Sequence, residues 1–363
     1  MLWRSRRAIK EVQGVSKRKG STGQIALVET RAGLDVPSER HLELTYLKKG
    51  VPTELPAPAR PLADTHAHLM SFWKVEPAYA LARAAAAGVG ALTTIWDPVA
   101  DVRVAATAAT FHEQLLGWIA EAREQLAQGI RAGVVDERRA EPKLFERIGY
   151  LAGVHPYGAP DYTDAVHEQV VEALSDPLCR GVGEIGLDYH FDADDDIEAA
   201  PHDMQMDVMA RQLELACTRN VPVELHLRND AGDETREAHA DAYRVLTEVG
   251  LPQAGCVLHC FGEDRATMER FVELGCSIAY GGAATFKSNE AVREAFAATP
   301  LDRILFETDC PYMAPEPLRG MECEPALIAL TADALARDRA ERTGEDPARI
   351  LQAAWENART MLG

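Results

Sequence analysis

From residue 62 onward, the chain alternates short apolar runs typical of β-strands with segments of helical length. The eight runs are Leu62–His66, Ala91–Trp96, Tyr150–Val154, Gly181–Ile185, Val221–Leu227, Gly255–His259, Cys276–Ala279 and Arg303–Phe306. Strands buried on both faces of a parallel sheet are almost continuously apolar, and a helix commonly returns the chain from one strand to the next. The alternation therefore predicts an α/β fold, and eight strands favour a closed (β/α)8 TIM-type barrel over a doubly wound open sheet.

Residues 1–61 precede this pattern and differ from it in composition. Residues 1–50 contain 11 Lys or Arg and only 5 Asp or Glu, although the whole chain has a formal net charge of −19. The apolar runs Gln24–Val28 and Leu42–Leu47 are able to pair as a hairpin, and the prolines from Pro52 to Pro61 predict a stiff linker. We expect a basic, proline-rich and partly disordered extension over residues 1–61, followed by one barrel domain over residues 62–363.

Two helical segments fall outside the simple alternation. The connection from Asp97 to Arg147 is too long for one helix, and its pattern around His112–Ala132 predicts a long helix followed by extra turns. We interpret this connection as an insertion in a βα unit. Near the C-terminus, Asp346 is suited to cap a closing helix that extends to Leu362, because the proline after it fits the first helical position.

Charge and cysteine content limit the class of protein. A net charge of −19 argues against a protein that coats nucleic acid through a broad basic surface, but it is compatible with an enzyme that takes a nucleic-acid end into a metal-lined pocket. The seven cysteines are odd in number and include no C-x-x-C, which indicates reduced thiols and an intracellular protein. No secretory signal or membrane span is readable in the sequence. We therefore expect a cytoplasmic protein that does not bind a membrane and has no obligate protein partner.

Several of the predicted strands end in residues of the types that bind metal ions. These residues are His66, His68, Glu184, His226, His259 and Asp309. The carboxyl ends of barrel strands converge on one mouth, so residues far apart in the sequence can share one site. Four imidazoles and two carboxylates are enough for two divalent ions if Glu184 bridges them. Such nitrogen and oxygen ligands suit Mg, Mn, Zn, Co or Ni without selecting sharply among these metals.

A pair of ions indicates hydrolytic chemistry. Two ions about 3.5–4 Å apart would hold a hydroxide between them and stabilise both the attacking and the leaving oxygen. In this hypothesis Glu184 joins the two ions, while Asp309 binds one ion and accepts the proton of the nucleophilic water.

The strand-end residues lie in segments that resemble the TatD-type metal-dependent hydrolases, a group of amidohydrolase-like barrels. These segments are Asp64-Thr-His-Ala-His-Leu69, Gly153-Val-His-Pro-Tyr157, Gly183-Glu-Ile-Gly-Leu-Asp-Tyr189, Glu224-Leu-His-Leu-Arg228, His259-Cys-Phe-Gly262, Thr285-Phe-Lys287 and Glu307-Thr-Asp-Cys-Pro-Tyr-Met-Ala-Pro315. The resemblance runs in order from about residue 62 to residue 360. It implies a divalent-metal phosphodiesterase, typically a DNase that acts as a 3′→5′ exonuclease on DNA 3′ ends or another phosphodiester, with the same six residues as metal ligands. It also suggests that His155 and Arg228 contact the scissile phosphate.

The sequence departs from the family pattern at a few positions, and other functions stay open. Tyr157 stands where a second histidine is usual, Gly262-Glu263 replaces Ser-Gly, and Cys323 replaces an asparagine. These changes affect the expected substrate range more than hydrolysis. The alternatives are an amidohydrolase-like enzyme acting on a lactone, an amide or an aminoacyl-tRNA ester, and a non-catalytic binder that uses the basic N-terminal segment for nucleic acid.

Overall fold

The computed structural model describes residues 42–190 and 199–363. The strands within these ranges are β1 Thr45–Lys48, β2 Val51–Glu54, β3 Leu62–Ala67, β4 Val89–Trp96, β5 Ile148–Ala152, β6 Cys179–Asp188, β7 Val223–Arg228, β8 Cys256–Leu258, β9 Ser277–Tyr280 and β10 Ile304–Phe306. The α-helices are α1 Pro77–Ala87, α2 Ala108–Arg131, α3 Asp164–Ala173, α4 His202–Arg219, α5 Glu237–Val249, α6 Arg265–Leu274, α7 Glu290–Ala298, α8 Ile328–Thr343 and α9 Pro347–Leu362. Short 3-10 turns follow several of the barrel strands.

Strands β3 to β10 form one parallel sheet in which every strand neighbours the next one along the chain. The first and last of these strands approach each other: the Thr65 hydroxyl donates to the Phe306 carbonyl at 3.1 Å, and Ala67 forms a parallel bridge with Cys310. The sheet is therefore nearly closed into a barrel with helices between its strands, and the predicted (β/α)8 fold is confirmed.

Local sequence explains where the helices begin and end. Helix α1 has Pro77 at its first position and ends at Gly88, whose φ of 93° lies in the left-handed region that glycine adopts without steric cost. Its alanines let it pack closely, and nine of its eleven residues are buried. The Asp346 carboxylate accepts a hydrogen bond from the Ala348 amide, so α9 has the cap that the sequence predicts.

The long connection after β4 contains the expected helix. Helix α2 covers 24 residues, and the Thr107 hydroxyl caps its first turn by accepting from the Thr110 amide at 3.1 Å. Phe111 and Leu115 are buried on the face of α2 that packs against the barrel layer. A 3-10 turn, Pro142–Glu146, then leads into β5. The long helix and the extra turn are confirmed, and the interpretation of this connection as an insertion stays a prediction.

The described part of the N-terminal extension differs from the prediction. The run Leu42–Leu47 does enter a hairpin, but its partner is Val51–Glu54. The predicted partner Gln24–Val28 lies outside the described residues. The two hairpin strands are joined by Lys49 and Gly50, with φ values of 50° and 79°.

The proline segment after this hairpin lies against the barrel, so the prediction of a linker is wrong. The Arg139 guanidinium donates to the carbonyls of Leu55 and Pro56 at 3.1 and 2.9 Å, and the side chains of Leu42, Tyr46 and Leu55 belong to the same apolar core as the barrel. The basic, proline-rich and partly disordered extension was predicted for residues 1–61, and residues 1–41 of it lie outside the described residues. A boundary at residue 61 stays a prediction.

Two further properties concern the cysteines and the helices. All seven cysteines are free thiols, and four of them are buried. Among the helices in residues 42–190 and 199–363, none is long and apolar enough to cross a membrane.

Candidate metal centre

Two histidines at the end of β3 begin the candidate metal centre. His66 lies in β3 and His68 follows it, and side chains two residues apart along a strand point to the same side. Their Nε2 atoms are only 3.0 Å apart, and both rings are buried. Two imidazole nitrogens at this distance can share a proton or bind one ion.

Carboxylates from two other strands approach the same pair of nitrogens. Glu184 Oε2 lies 3.3 Å from His66 Nε2 and 3.8 Å from His68 Nε2, while Asp309 Oδ1 lies 3.7 and 3.4 Å from the same atoms. Ligand atoms about 2.1 Å from a tetrahedral ion are about 3.4 Å from one another. The separations thus fit the edges of a coordination shell, and the four donors suit a divalent cation.

A second group of donors shares Glu184 with the first. His259 Nε2 lies 3.4 Å from Glu184 Oε2, and His226 Nδ1 lies 3.1 Å from His259 Nε2. The rings of His66 and His259 stack with centroids 4.0 Å apart. The structure therefore brings all six sequence-predicted residues to one place, with the Glu184 carboxylate between two groups of histidines.

Three buried carboxylates that sequence reasoning missed lie behind the histidines. Glu224 Oε1 lies 2.6 Å from His66 Nδ1, Asp188 Oδ2 lies 3.1 Å from His226 Nε2, and Glu307 Oε1 lies 3.8 Å from His259 Nδ1. A carboxylate hydrogen-bonded to the outer ring nitrogen, as at Glu224 and Asp188, fixes the orientation of a metal-binding histidine and makes it more basic, whereas Glu307 accepts from the Cys260 amide instead. The signal was present in the sequence, because Glu224 precedes His226 by two residues and Asp188 follows Glu184 by four on one strand.

The buried charges shift one another's pKa values. Burial opposes a charged imidazole at His66, but the carboxylates of Glu224 and Glu184 outweigh it and raise the pKa of His66 well above its ordinary value. Burial also opposes the Glu184 carboxylate, but the surrounding histidines, His68 first, hold its pKa well below the usual range. Desolvation raises the pKa of Glu224 and lowers that of His259. Glu184 is therefore kept ionised, as a metal ligand must be.

Asp309 is held in position by the seam that closes the barrel. Its backbone has a φ of 52°, and its amide donates to the His66 carbonyl at 3.0 Å. The neighbouring Thr308 amide and hydroxyl donate to the Asp64 carboxylate at 2.9 and 2.7 Å. Burial raises the pKa of Asp64 to about 7 despite these hydrogen bonds. The residues on both sides of the seam thus fix the carboxylate that faces the histidines.

The two residues expected to contact phosphate lie at the mouth of the same site. His155 Nδ1 accepts a hydrogen bond from the Tyr157 amide at 3.1 Å, so the proton of the neutral ring is on Nε2. The side chain of Arg228 is 45% exposed, and its guanidinium lies 3.9 Å from Asp188. The ligand atoms of His155, Asp188 and His226 also lie within 4.8 Å of one another. Both predicted residues thus present donors beside the second group of histidines.

These side chains line a cavity of about 600 Å³. Of the residues that depart from the family pattern, Tyr157 donates its hydroxyl to the His190 carbonyl at 3.1 Å. Glu263 lies at the cavity edge and accepts hydrogen bonds from Asn229 at 3.0 Å and Arg236 at 2.7 Å. Cys323 is buried and does not line the cavity. The departures thus alter the rim of the site and leave the donor groups in place.

Comparison with known proteins gives consistent matches. A family model described as TatD related DNase matches residues 63–363. The chain is 34% identical over 191 residues to YcfH of Escherichia coli K12, an uncharacterised metal-dependent hydrolase; the match covers 53% of this chain and 66% of that protein. It is 32% identical over 217 residues to a Pantoea vagans protein named 3′-5′ ssDNA/RNA exonuclease TatD, with 58% of this chain and 76% of that protein covered.

A solved structure agrees with these sequence matches. The crystal structure of YjjV, a TatD homologue from Escherichia coli K12, superposes with a TM-score of 0.59 and 25% identity, covering 83% of this chain and 97% of that one. The match to YcfH covers just under two thirds of that relative's length.

Proposed function

The chain belongs to the family of TatD-related DNases, and from this premise we propose that it hydrolyses phosphodiester bonds with bound divalent metal ions. The observation that carries the proposal is the position of the Glu184 carboxylate between two groups of histidines, 3.3 Å from His66 and 3.4 Å from His259. A single carboxylate shared in this way suits a site for two ions.

The residues that would hold the ions divide into two sets. His66, His68, Glu184 and Asp309 would hold one, and Glu184 with His226 and His259 would hold the other. Bound divalent ions supply positive charge for the phosphate oxygens and lower the pKa of a water molecule. We propose two ions of Mg, Mn, Zn, Co or Ni, because nitrogen and oxygen donors together accept all of these.

The protein's own side chains orient the substrate and accept the proton. Arg228 offers a planar set of donors that matches two phosphate oxygens, and the Nε2 proton of His155 offers another donor beside it. Asp309, held by the barrel seam and facing His68 at 3.4 Å, is placed to accept the proton of the attacking water. Glu184 keeps the histidines of both groups at fixed separation.

We propose DNA 3′ ends as the substrate and stepwise 3′→5′ removal of nucleotides as the reaction. The Pantoea vagans relative is named as an exonuclease of this polarity. The chain's net charge of −19 is unfavourable for binding along an extended duplex, whereas a strand end presents few phosphates to the protein. We also propose that residues 62–363 form the catalytic barrel and that residues 1–61 are an extension to it.

The test is cleavage of a 5′-labelled single-stranded DNA oligonucleotide in the presence of Mg²⁺ or Mn²⁺. We expect a ladder that shortens one nucleotide at a time and is abolished by EDTA and by Glu184→Ala. Glu168→Ala is the matched control, because Glu168 is an exposed glutamate on α3, away from the cavity. This control variant should cleave like the unmodified protein.

Two outcomes would contradict parts of the proposal. Internal cleavage into random fragments, still lost with EDTA, would retain a phosphodiesterase but exclude the exonuclease. Intact DNA under every metal, with bound metal measured directly, would overturn phosphodiester hydrolysis and direct the assay to small esters and lactones.

A further inference from the structure

A row of aromatic side chains leads outward from the candidate metal centre. The ring of His68 makes an edge contact with Tyr312, with centroids 5.9 Å apart, and Tyr312 in turn lies 6.2 Å from the ring of Trp73. Tyr312 also lines the cavity. The row therefore connects a proposed metal ligand with a tryptophan at the protein surface.

Trp73 and Met313 are two of the seven large apolar residues that are exposed in the described part of the chain. The side chains of large apolar residues in the described ranges are mostly buried, but Trp73 is 40% exposed and Met313, next to Tyr312, is 45% exposed. Large exposed apolar groups that adjoin one another commonly mark a binding site. Here Met313 and Tyr312 line the cavity and Trp73 lies beside Tyr312, so a ligand with an apolar face fits this edge.

The backbone around Trp73 is fixed rather than loosely attached. The amides of Trp73 and Lys74 both donate to the carboxylate of Glu322, at 2.6 and 3.0 Å. On the other side of the row, the Tyr312 amide donates to the Asp309 carbonyl at 2.9 Å. The backbone of both residues is thus fixed by hydrogen bonds, to Glu322 at Trp73 and within the loop after β10 at Tyr312, which reduces the entropy cost of ordering them around a stacked ligand.

The position of the row complements that of the phosphate-contacting residues. Trp73 follows β3 and Tyr312 follows β10, the two strands that meet at the barrel seam. His155 follows β5 and Arg228 ends β7, so both lie away from that seam in the order of strands around the barrel. One edge of the site therefore offers cationic and hydrogen-bond donors, and the other offers aromatic faces.

A nucleotide has these two properties in one molecule, an anionic phosphate and a flat apolar base. We propose that Trp73, with Tyr312, stacks against a nucleobase beside the scissile phosphate. Trp73 would then be a determinant of substrate specificity. This proposal rests on the proposed nuclease function. Because stacking needs an exposed base face, it favours single-stranded ends over paired ends.

The experiment compares two metal-loaded reactions that differ only in the bases. One substrate is a single-stranded oligonucleotide, and the other carries abasic residues at its two 3′-terminal positions. Trp73→Ala should raise KM for the first substrate by about 5- to 100-fold, the range expected for one lost base–aromatic stack, and should leave kcat nearly unchanged. Trp73→Phe should restore most of the binding, since it keeps an aromatic face.

The abasic substrate and a control variant make the test specific. The unmodified protein should bind the abasic substrate as weakly as Trp73→Ala binds the normal one, and Trp73→Ala should have no further effect on it. Leu116→Ala is the control, because Leu116 is an equally exposed apolar residue (46%) on α2, outside the cavity. It should leave KM unchanged for both substrates.

The outcomes separate this proposal from the nuclease function. Equal KM values for Trp73→Ala and the unmodified protein, or an equal rise on both substrates, would overturn stacking while cleavage itself continued. If the unmodified protein cleaves neither substrate, the nuclease proposal fails. Stacking is then tested by tryptophan fluorescence. An oligonucleotide should quench the fluorescence of the unmodified protein more than that of Trp73→Phe, and equal quenching in the two proteins would overturn the stacking proposal.

Discussion

Two carboxylate–histidine pairs lie behind the metal centre, and they differ in their surroundings. In the inner pair, Glu224 and His66 are 2.6 Å apart and almost completely buried. In the outer pair, Asp188 and His226 are 3.1 Å apart, and the side chain of His226 is 19% exposed. The outer carboxylate also faces Arg228 at 3.9 Å, whereas Glu224 Oε2 has no hydrogen-bond partner among the described residues.

The pKa values of the two carboxyl groups move in opposite directions. Desolvation dominates at Glu224 and raises its pKa. At Asp188 burial acts in the same sense, but the hydrogen bond with His226 and the electrostatic effect of His226, His155 and Arg228 outweigh it and lower the pKa. The proposed metal ion would therefore balance the charge of the inner pair, while the outer pair already lies beside the cation of Arg228, which we propose to contact substrate.

The largest expected effect on turnover comes from Asp309, which faces His66 of the inner pair. Asp309→Asn should lower kcat by about 100- to 10,000-fold, because the side chain loses its capacity to accept a proton. The backbone at this position has a φ of 52°, which asparagine tolerates better than most residues, so the fold should be kept. The measurement is single-turnover cleavage together with the metal content of the purified variant.

Asp230→Asn is the matched control for that change. Asp230 is an exposed aspartate that lines the cavity away from the two donor groups, and its variant should keep normal turnover. Unchanged turnover in Asp309→Asn with full metal occupancy would exclude the proposed proton acceptor. Loss of metal from this variant would instead mean that Asp309 acts mainly as a ligand.

The inner and outer groups also show what the sequence could predict. The H-x-H pair and the positions of Glu184, His226 and His259 were sufficient, although β6 continues four residues beyond Glu184, because the carboxyl-terminal halves of parallel strands meet at one mouth. The carboxylates behind them were missed, since Glu224 lies inside a strand and reads as an ordinary β residue. Its role depends on His66, which lies on β3, four strands away from β7 in the sheet, and this approach is a property of the closed barrel.

The hairpin between Thr45–Lys48 and Val51–Glu54 was missed for a local reason. Lys49 and Gly50 both have positive φ, as a two-residue type I′ hairpin turn requires. Lysine is uncommon at the first of these positions, so the Lys-Gly pair did not read as a turn. The path of the proline segment could not be predicted either, because it depends on Arg139, which belongs to the insertion far along the chain.

The second expected effect is on the pH dependence of folding stability, and it comes from the buried residue His239, which lines the cavity. His239 Nδ1 donates to the Asn229 side-chain oxygen, 3.2 Å away, and burial lowers the pKa of His239 to about 4. Above pH 6.5 this residue is neutral in both the folded and the unfolded chain. As the pH falls from 6.5 toward 4, only the unfolded chain gains the proton, so folding stability is lost.

The loss is measurable by urea unfolding in EDTA at pH 7.5 and pH 5.0. His239→Gln should remove about 2 kcal/mol of the decrease in the free energy of unfolding between these two values. His167→Gln is the control, because His167 is partly exposed and burial lowers its pKa without isolating it from water. An equal pH dependence in His239→Gln and the unmodified protein would contradict the assignment.

The smallest expected effect is a difference in metal affinity between a Glu224 variant and an Asp188 variant. It tests directly whether the inner and outer pairs differ. Glu224→Gln keeps an oxygen that can accept from His66 Nδ1 but removes the charge, and should weaken divalent-metal affinity by about 10- to 100-fold. Asp188→Asn makes the same change beside His226. It should weaken metal affinity by less than about tenfold, because water reaches His226.

Asp188→Asn should instead affect the substrate, because it removes the carboxylate that faces Arg228 and thereby changes KM more than metal affinity. Asp176→Asn is the matched control: Asp176 pairs with His112 at 2.8 Å, outside the cavity, and its variant should bind metal normally. Metal titration by calorimetry on the three variants gives the answer. Equal losses in Glu224→Gln and Asp188→Asn would mean that burial does not distinguish the two pairs. A larger loss in Asp188→Asn would place the tighter metal site on the outer side, next to the residues proposed to contact phosphate.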